Sequence, residues 1–181
     1  MGALATFIGF QAAWFACVPG AAHGYALVGP LVGSAWLALF LWKSPRPQAV
    51  ARLALFCVAI GLGLDTFLIW IGAIAPVRFL LPPPFLPLWL ITLWAIMPTL
   101  IFGNLAWLFR RYRLASLLGA FGGPLAYWGG FRIGALSFGD PQLRSLLILA
   151  LGWAFAFPLM IFMASHWSHP KPAKNKTPPG Q

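Results

Sequence analysis

The chain has 181 residues, of which 61% are hydrophobic and 8% are charged. Soluble domains carry about 25% charged residues, so this composition argues against a water-soluble globular protein. The formal charge of +10 arises from 12 basic and 2 acidic residues. The basic residues lie between apolar runs and in the C-terminal tail, which argues against nucleic acid as a partner and favours topology signals and contacts with membrane lipids.

Six apolar runs follow one another along the chain. A membrane helix needs about 17–25 predominantly apolar residues, and the runs cover residues 2–18, 24–42, 50–75, 87–109, 114–137 and 142–164. The first run has no basic residue before it, so we interpret it as a membrane helix rather than a signal peptide. The pattern predicts an all-α polytopic membrane protein in which residues 1–166 form a compact bundle of six transmembrane helices.

Two stretches do not fit a helix. Residues 76–87, "PVRFLLPPPFLP", are apolar but rich in proline, and we expect them to lie in the membrane interface before the fourth helix. Residues 167–181 are basic, polar and proline-rich, which predicts a disordered cytoplasmic tail.

The basic residues also predict an orientation. Arg78, Arg132 and Arg144 fall on one side of the predicted bundle. The other nine fall on the opposite side, which the positive-inside rule makes cytoplasmic: Lys43, Arg46, Arg52, Arg110, Arg111, Arg113, Lys171, Lys174 and Lys176. Six crossings then place both termini in the cytoplasm.

Asp65 lies in the apolar stretch "IGLGLDTFLIW" of the third run. At ~1.5 Å per residue, Thr92 and Tyr127 fall at a similar depth, and Arg132 falls nearer the outer interface. A carboxylate in hydrocarbon costs several kcal/mol unless it is neutralised or paired. Two interpretations remain open: Asp65 is a binding or proton-handling group in a cavity, or it is a buried hydrogen-bonding anchor. Arg132 either pairs with it or extends to the lipid headgroups.

The fifth run is dense in small residues. Within "LLGAFGGPLAYWGGFRIGAL", five of them fall within about 80° of one another on a helix: Gly119, Gly123, Ala126, Gly130 and Gly134. Such a stripe lets helix backbones approach closely in lipid. We therefore interpret it as a helix-packing face.

No grouping of catalytic type is evident. Cys17 and Cys57 are expected at different depths, which does not favour a disulfide, and neither a metal site nor a cofactor is predicted. Gln11 and Asn104 are isolated polar residues, a pattern that favours hydrogen bonds between helices. We also count Gln11 with Asp65 among the candidates for a polar core or a binding site.

Four segments together resemble an uncharacterised family of small bacterial multi-pass membrane proteins, known only as a domain of unknown function. They are "FQAAWFACV", the stretch around Asp65, "LWAIMPTL" and the glycine-rich fifth run. The resemblance covers nearly the whole chain except the tail and implies the bacterial inner membrane, but no activity. The family-pattern positions would be Gln11, Trp14, Asp65, Trp94, Gly123, Pro124, Tyr127 and Gly130.

Two classes of function follow. The first is a non-enzymatic membrane protein that binds a lipid or another amphiphile, or that serves as a subunit of a membrane assembly. The second is a small transporter or a lipid-modifying enzyme centred on Asp65. A cavity that reaches Asp65 would favour the second class, whereas a fully bonded, buried Asp65 would favour the first.

Overall fold

The computed structural model describes residues 1–77 and 86–168. Within these ranges the chain forms six α-helices, two short strands and one 3₁₀ turn at Ala106–Leu108. The helices are α1 Ala3–Ala22, α2 Val28–Lys43, α3 Pro47–Trp70, α4 Leu88–Gly103, α5 Tyr112–Ile133 and α6 Gln142–Ser168; the strands are β1 Ile74–Pro76 and β2 Leu136–Phe138. The all-α class and the six helices agree with the prediction.

The two strands are a feature that hydropathy did not predict. The third and fifth apolar runs were expected to stay helical to residues 75 and 137, but each helix ends earlier. Gly72 and Gly134 take positive φ angles of +70° and +88° just beyond α3 and α5, a conformation that glycine adopts without steric cost. The chain after each turn then extends, and β1 pairs with β2 in antiparallel register, Ala75 opposite Ser137.

The strands define one end of the bundle, here called the strand end. The helices alternate in direction, so α1 begins and α6 finishes at the opposite end. Side chains make bonds there: Asn104 Nδ2 donates to the Ala3 carbonyl at 2.9 Å, and the Arg46 guanidinium donates to the Ser168 carbonyl. The start of α1 and the end of α6 therefore lie on the same side of the bundle.

Helix α4 lies at the centre of the bundle. It packs against α1, α2 and α3, whereas α6 packs against α5 and α3. Its buried residues come from every side of the helix and include Trp89, Thr92, Trp94, Ile96 and Thr99. An apolar helix that is buried all round is expected at the core of a bundle.

Fewer helices than the predicted six meet the length and hydropathy expected of a membrane span. Within residues 1–77 and 86–168, three helices are long and apolar enough by this measure: Ala3–Ala22, Pro47–Trp70 and Gln142–Ser168. Helices α2 and α4 have 16 residues each, which gives a length of about 24 Å. Helix α4 is short because it starts after Pro87 and the chain leaves the helix at Asn104. Helix α5 has 22 residues, but arginines and glycines dilute its apolar character.

Parts of two predicted segments lie outside the described residues. These are residues 78–85 of the interfacial segment and residues 169–181 of the tail. Helix α6 continues to Ser168, two residues beyond the predicted end of the bundle at residue 166.

Candidate functional site

Asp65 joins three helices by hydrogen bonds. Its side chain projects from α3 and is 0% exposed. One carboxylate oxygen accepts a bond from Trp94 Nε1 of α4 at 2.8 Å, and the other accepts from the Tyr127 hydroxyl of α5. Both oxygens are thus bonded, as a polar group away from water requires.

Two stacked indole rings lie beside this network. Trp94 of α4 and Trp153 of α6 stack with ring centroids 4.7 Å apart and planes at 15°. Tyr127 meets Trp153 edge to face at 6.4 Å. Nε1 of Trp153 is buried and has no hydrogen-bond partner among the described residues.

Two glycines make room for the stack. A Cβ at Gly61 would overlap the indole of Trp94, and a Cβ at Gly123 would overlap the indole of Trp153. Each glycine lies one helical turn before a polar member of the network, Asp65 and Tyr127 respectively. The same spacing on α3 and α5 therefore provides a slot for a ring and, four residues later, a hydrogen-bonding side chain.

A cavity of about 600 Å³ opens on the other side of the rings. Its walls come from α1, α4, α5 and α6, and none of its side chains is charged. The lining residues are Phe10, Gln11, Trp14, Phe15, Leu90, Leu93, Trp94, Met97, Leu100, Leu105, Leu118, Gly119, Gly122, Gly123, Leu125, Ala126, Tyr127, Trp153 and Phe157. Asp65 does not line the cavity, although its two bonding partners do.

The cavity lies between α1 and α5, and we call it the α1–α5 groove. Near the strand end the two helices come together. A Cβ added to Gly129 would lie 3.5 Å from Trp14, and a Cβ added to Gly130 would lie 3.8 Å from Val18. Along the side of the groove, Phe15 and Leu125 are exposed at 57% and 65%. The groove is therefore closed at the strand end and open along the side of the bundle.

The structure brings some of the predicted site residues together and separates others. Tyr127 bonds to Asp65, whereas the Thr92 hydroxyl donates to the Leu88 carbonyl of its own helix at 2.7 Å. Arg132 is exposed, and its guanidinium lies 5.4 Å from the ring of Trp128. Gln11 is half-buried in the wall of the groove. The predicted pairing of Thr92 or Arg132 with Asp65 is thus not found; Thr92 satisfies its hydroxyl locally and Arg132 points away from the core.

The predicted small-residue stripe on α5 divides into three parts. Gly119 and Gly123 face Trp153, where α5 approaches α6 most closely, and Gly130 packs against Leu136. Ala126 is instead exposed in the groove. Gly134 lies beyond the helix with open space around it, because it forms the left-handed turn into β2.

The sequence-based prediction of the site omitted three of its residues: Gly61, Trp94 and Trp153. Trp94 belonged to the family-pattern positions, and the spacing Gly61-x₃-Asp65 matches Gly123-x₃-Tyr127. These two signals could have identified Gly61 and Trp94. Nothing in the sequence distinguished Trp153 from the rest of the 10 tryptophans of the chain.

The fold and the site define an all-α protein with membrane-compatible helices, a buried acid and an uncharged groove. The chain belongs to the family DUF2878, described as a protein of unknown function, whose model matches residues 3–159. The expected membership of an uncharacterised family is thereby confirmed. Comparisons with curated proteins and with solved structures find no match to the chain.

Proposed function

We propose that this protein binds an apolar or amphiphilic molecule from the surrounding membrane in the α1–α5 groove and carries out no chemistry on it. The observation that carries the proposal is the groove itself: a cavity of about 600 Å³ with an uncharged, largely aromatic and aliphatic wall. Sites of roughly 300–1,000 Å³ with apolar walls and few polar groups are typical of small-molecule binding.

The environment of Asp65 supports binding rather than catalysis or transport. The carboxylate is 0% exposed and both of its oxygens are bonded within the protein. A catalytic or ion-carrying carboxylate has to reach its substrate. Asp65 instead fixes Trp94 and Tyr127, which form part of the groove wall, so its role is to hold that wall in place.

The size of the groove favours a small amphiphile over a helix of a partner protein. Two turns of a helix about 10 Å in diameter occupy on the order of 900 Å³, which exceeds the volume of the groove. One hydrocarbon chain or one compact lipophile fits better. Association with other membrane-protein subunits would use other faces of the bundle.

The proposed setting is the bacterial inner membrane, with all six helices crossing and both termini in the cytoplasm. The alternation of the helices supports this arrangement. Tryptophan pairs with a basic residue at both ends of the bundle, as in Trp42 with Lys43 and Trp128 with Arg132. Such pairs are expected at membrane interfaces.

The proposal is tested by filling the groove. Gly122 lines it, and a Cβ there would meet nothing within 4 Å, so Gly122→Leu adds a side chain to the groove without a clash. Gly63→Leu is the matched control, because Gly63 is an exposed helical glycine with equally open surroundings outside the groove.

The wild type and both variants are purified from their own membranes, and the lipids that copurify with them are extracted and quantified by mass spectrometry. We expect one lipid class to be present at about one molecule per protein in the wild type and in Gly63→Leu, and to be lost from Gly122→Leu. Identical lipid profiles in all three proteins would contradict the proposal.

A further inference from the structure

The wall of the groove indicates what kind of molecule it accepts. None of the lining side chains is charged, so a charged group inside the groove would have no counter-ion. A buried charge without a partner is strongly disfavoured. The polar groups available there are neutral.

Gln11 is the one amide in this wall. It lies eight residues into α1, which places it about 12 Å from the start of the helix, and α1 is about 30 Å long. An amide offers both a donor and an acceptor. No described residue forms a hydrogen bond with the Gln11 side chain, so the bonding capacity of the amide is free for a ligand.

Trp153 contributes its ring, but not its N–H group, to the same wall. Trp153 is 9% exposed, its ring lines the groove, and its Nε1 has no hydrogen-bond partner in the described part of the chain. Buried donors are nearly always bonded in folded proteins. Because this nitrogen is buried within the protein, a molecule in the groove does not reach it, and the Gln11 amide is the polar group that a ligand meets there.

We propose that the groove selects an uncharged lipophile bearing a hydroxyl or carbonyl oxygen, and that this oxygen bonds to Gln11 within the membrane core. The inference rests on the proposed function, because it specifies the ligand of the same groove. It excludes molecules whose charged headgroup would enter the groove, and it makes Gln11 the residue that determines specificity.

The test uses three probes with the same 16-carbon chain and a diazirine at the same carbon: hexadecanol, hexadecanesulfonate and hexadecyltrimethylammonium. The two ionic probes carry permanent charges, so protonation cannot neutralise them. Each is incorporated at the same molar fraction into nanodiscs that hold the protein. After photolysis, the labelled peptides of α1 and α5 are quantified by mass spectrometry.

We expect saturable labelling of the groove by hexadecanol and at least tenfold less labelling by either charged probe. Gln11→Leu should lower hexadecanol labelling at least threefold. Gln48→Leu is the control, because Gln48 is exposed on α3 outside the groove, and it should leave the labelling unchanged. Labelling by a charged probe that equals that by hexadecanol, or unchanged hexadecanol labelling of Gln11→Leu, overturns the inference.

The two proposals fail in different ways. If the groove binds no lipophile, none of the three probes labels it saturably, and Gly122→Leu keeps the wild-type lipid profile. If the groove binds lipophiles without the proposed selectivity, all three probes label it and Gly122→Leu abolishes that labelling. Circular dichroism shows whether Gln11→Leu is folded, so a change in its labelling can be assigned to the lost amide rather than to unfolding.

Discussion

Gly122 and Gly123 are neighbours on α5, but they belong to two different regions of the molecule. A Cβ on Gly123 would overlap the indole of Trp153, whereas a Cβ on Gly122 would meet nothing within 4 Å. The first glycine borders the groove but faces the buried core, where α3, α4, α5 and α6 meet around Asp65. The second belongs to the α1–α5 groove.

The comparison separates two uses of small residues in a membrane bundle. In the core, the absence of a side chain lets a ring from the opposing helix fill the space, and packing holds the helices together. In the groove no opposing side chain arrives, so the same absence leaves room for a molecule from outside. A run of small residues therefore does not reveal by itself whether it closes an interface or opens a site.

The largest expected effect comes from removing the bonds of the core. Asp65→Leu leaves the Trp94 indole N–H and the Tyr127 hydroxyl without a partner, and each buried unpaired group costs about 1–3 kcal/mol. We expect a loss of roughly 2–5 kcal/mol in the free energy of unfolding, measured by SDS titration in mixed micelles. Asp65→Asn can still accept from Trp94 and donate to Tyr127, so it should lose much less. Equal losses for the two variants would mean that the charge, not the hydrogen bonds, matters.

The neighbouring glycines provide the next test. Gly123→Ala forces a methyl group against Trp153, and overpacking of this kind costs about 1–3 kcal/mol. Gly122→Ala meets no neighbour and replaces glycine in a helix, so it should be neutral or stabilising by up to ~1 kcal/mol. The same titration applied to both variants measures the difference. A Gly122→Ala protein as unstable as Gly123→Ala would remove the distinction between core and groove.

A single bond of the network has a smaller effect. Tyr127→Phe keeps the ring against Trp153 but removes the hydroxyl that donates to Asp65. We expect a loss of about 1–2 kcal/mol, because one hydrogen bond to a buried acid is lost while the Trp94 bond remains. Combining Tyr127→Phe with Asp65→Leu should then cost little more than Asp65→Leu alone. Additive losses would show that the two residues do not act through a shared bond.

Arg132→Gln should have the smallest effect. The guanidinium lies over the ring of Trp128 at an exposed position, and such contacts contribute about 0.5 kcal/mol. If Arg132 instead stabilised a charged Asp65, its removal would destabilise the protein as strongly as Asp65→Leu does. Comparing the unfolding of these two variants in one detergent decides between the two roles.

The sequence predicted the number and order of the helices more accurately than the residues at which they end. Apolar runs give the number and order of the six helices because burial in any apolar environment requires such runs. They do not give Trp70 or Ile133 as the last residues of α3 and α5, because these ends depend on Gly72 and Gly134 and on the pairing of β1 with β2. Such pairing joins segments about 60 residues apart, beyond what local hydropathy can indicate.

Only part of the site was predicted, because the rest also depends on how the helices are arranged in space. Asp65 stands out because a carboxylate in an apolar run has a high cost, and Tyr127 follows from its depth on a neighbouring helix. Depth alone could not tell that Thr92 turns to its own helix or that Arg132 faces outward, since depth does not specify the rotation of a helix. Aromatic partners such as Trp153 look the same in sequence whether they face lipid or the core.

The strand pair also fastens one side of the groove. Backbone bonds from Val77 to Ala135 at 3.0 Å and from Gly139 to Ala73 at 3.1 Å flank the paired residues. They join the end of α3 to the end of α5, and α5 packs along α6. The strand pair thus ties α3, α5 and α6 into one packed unit, whereas α1 packs chiefly on α2 and α4 and meets α5 near the strand end through Trp14 and Val18. The two sides of the groove are therefore anchored differently: α5 is fastened to α3 through backbone hydrogen bonds, and α1 is held by packing on α2 and α4.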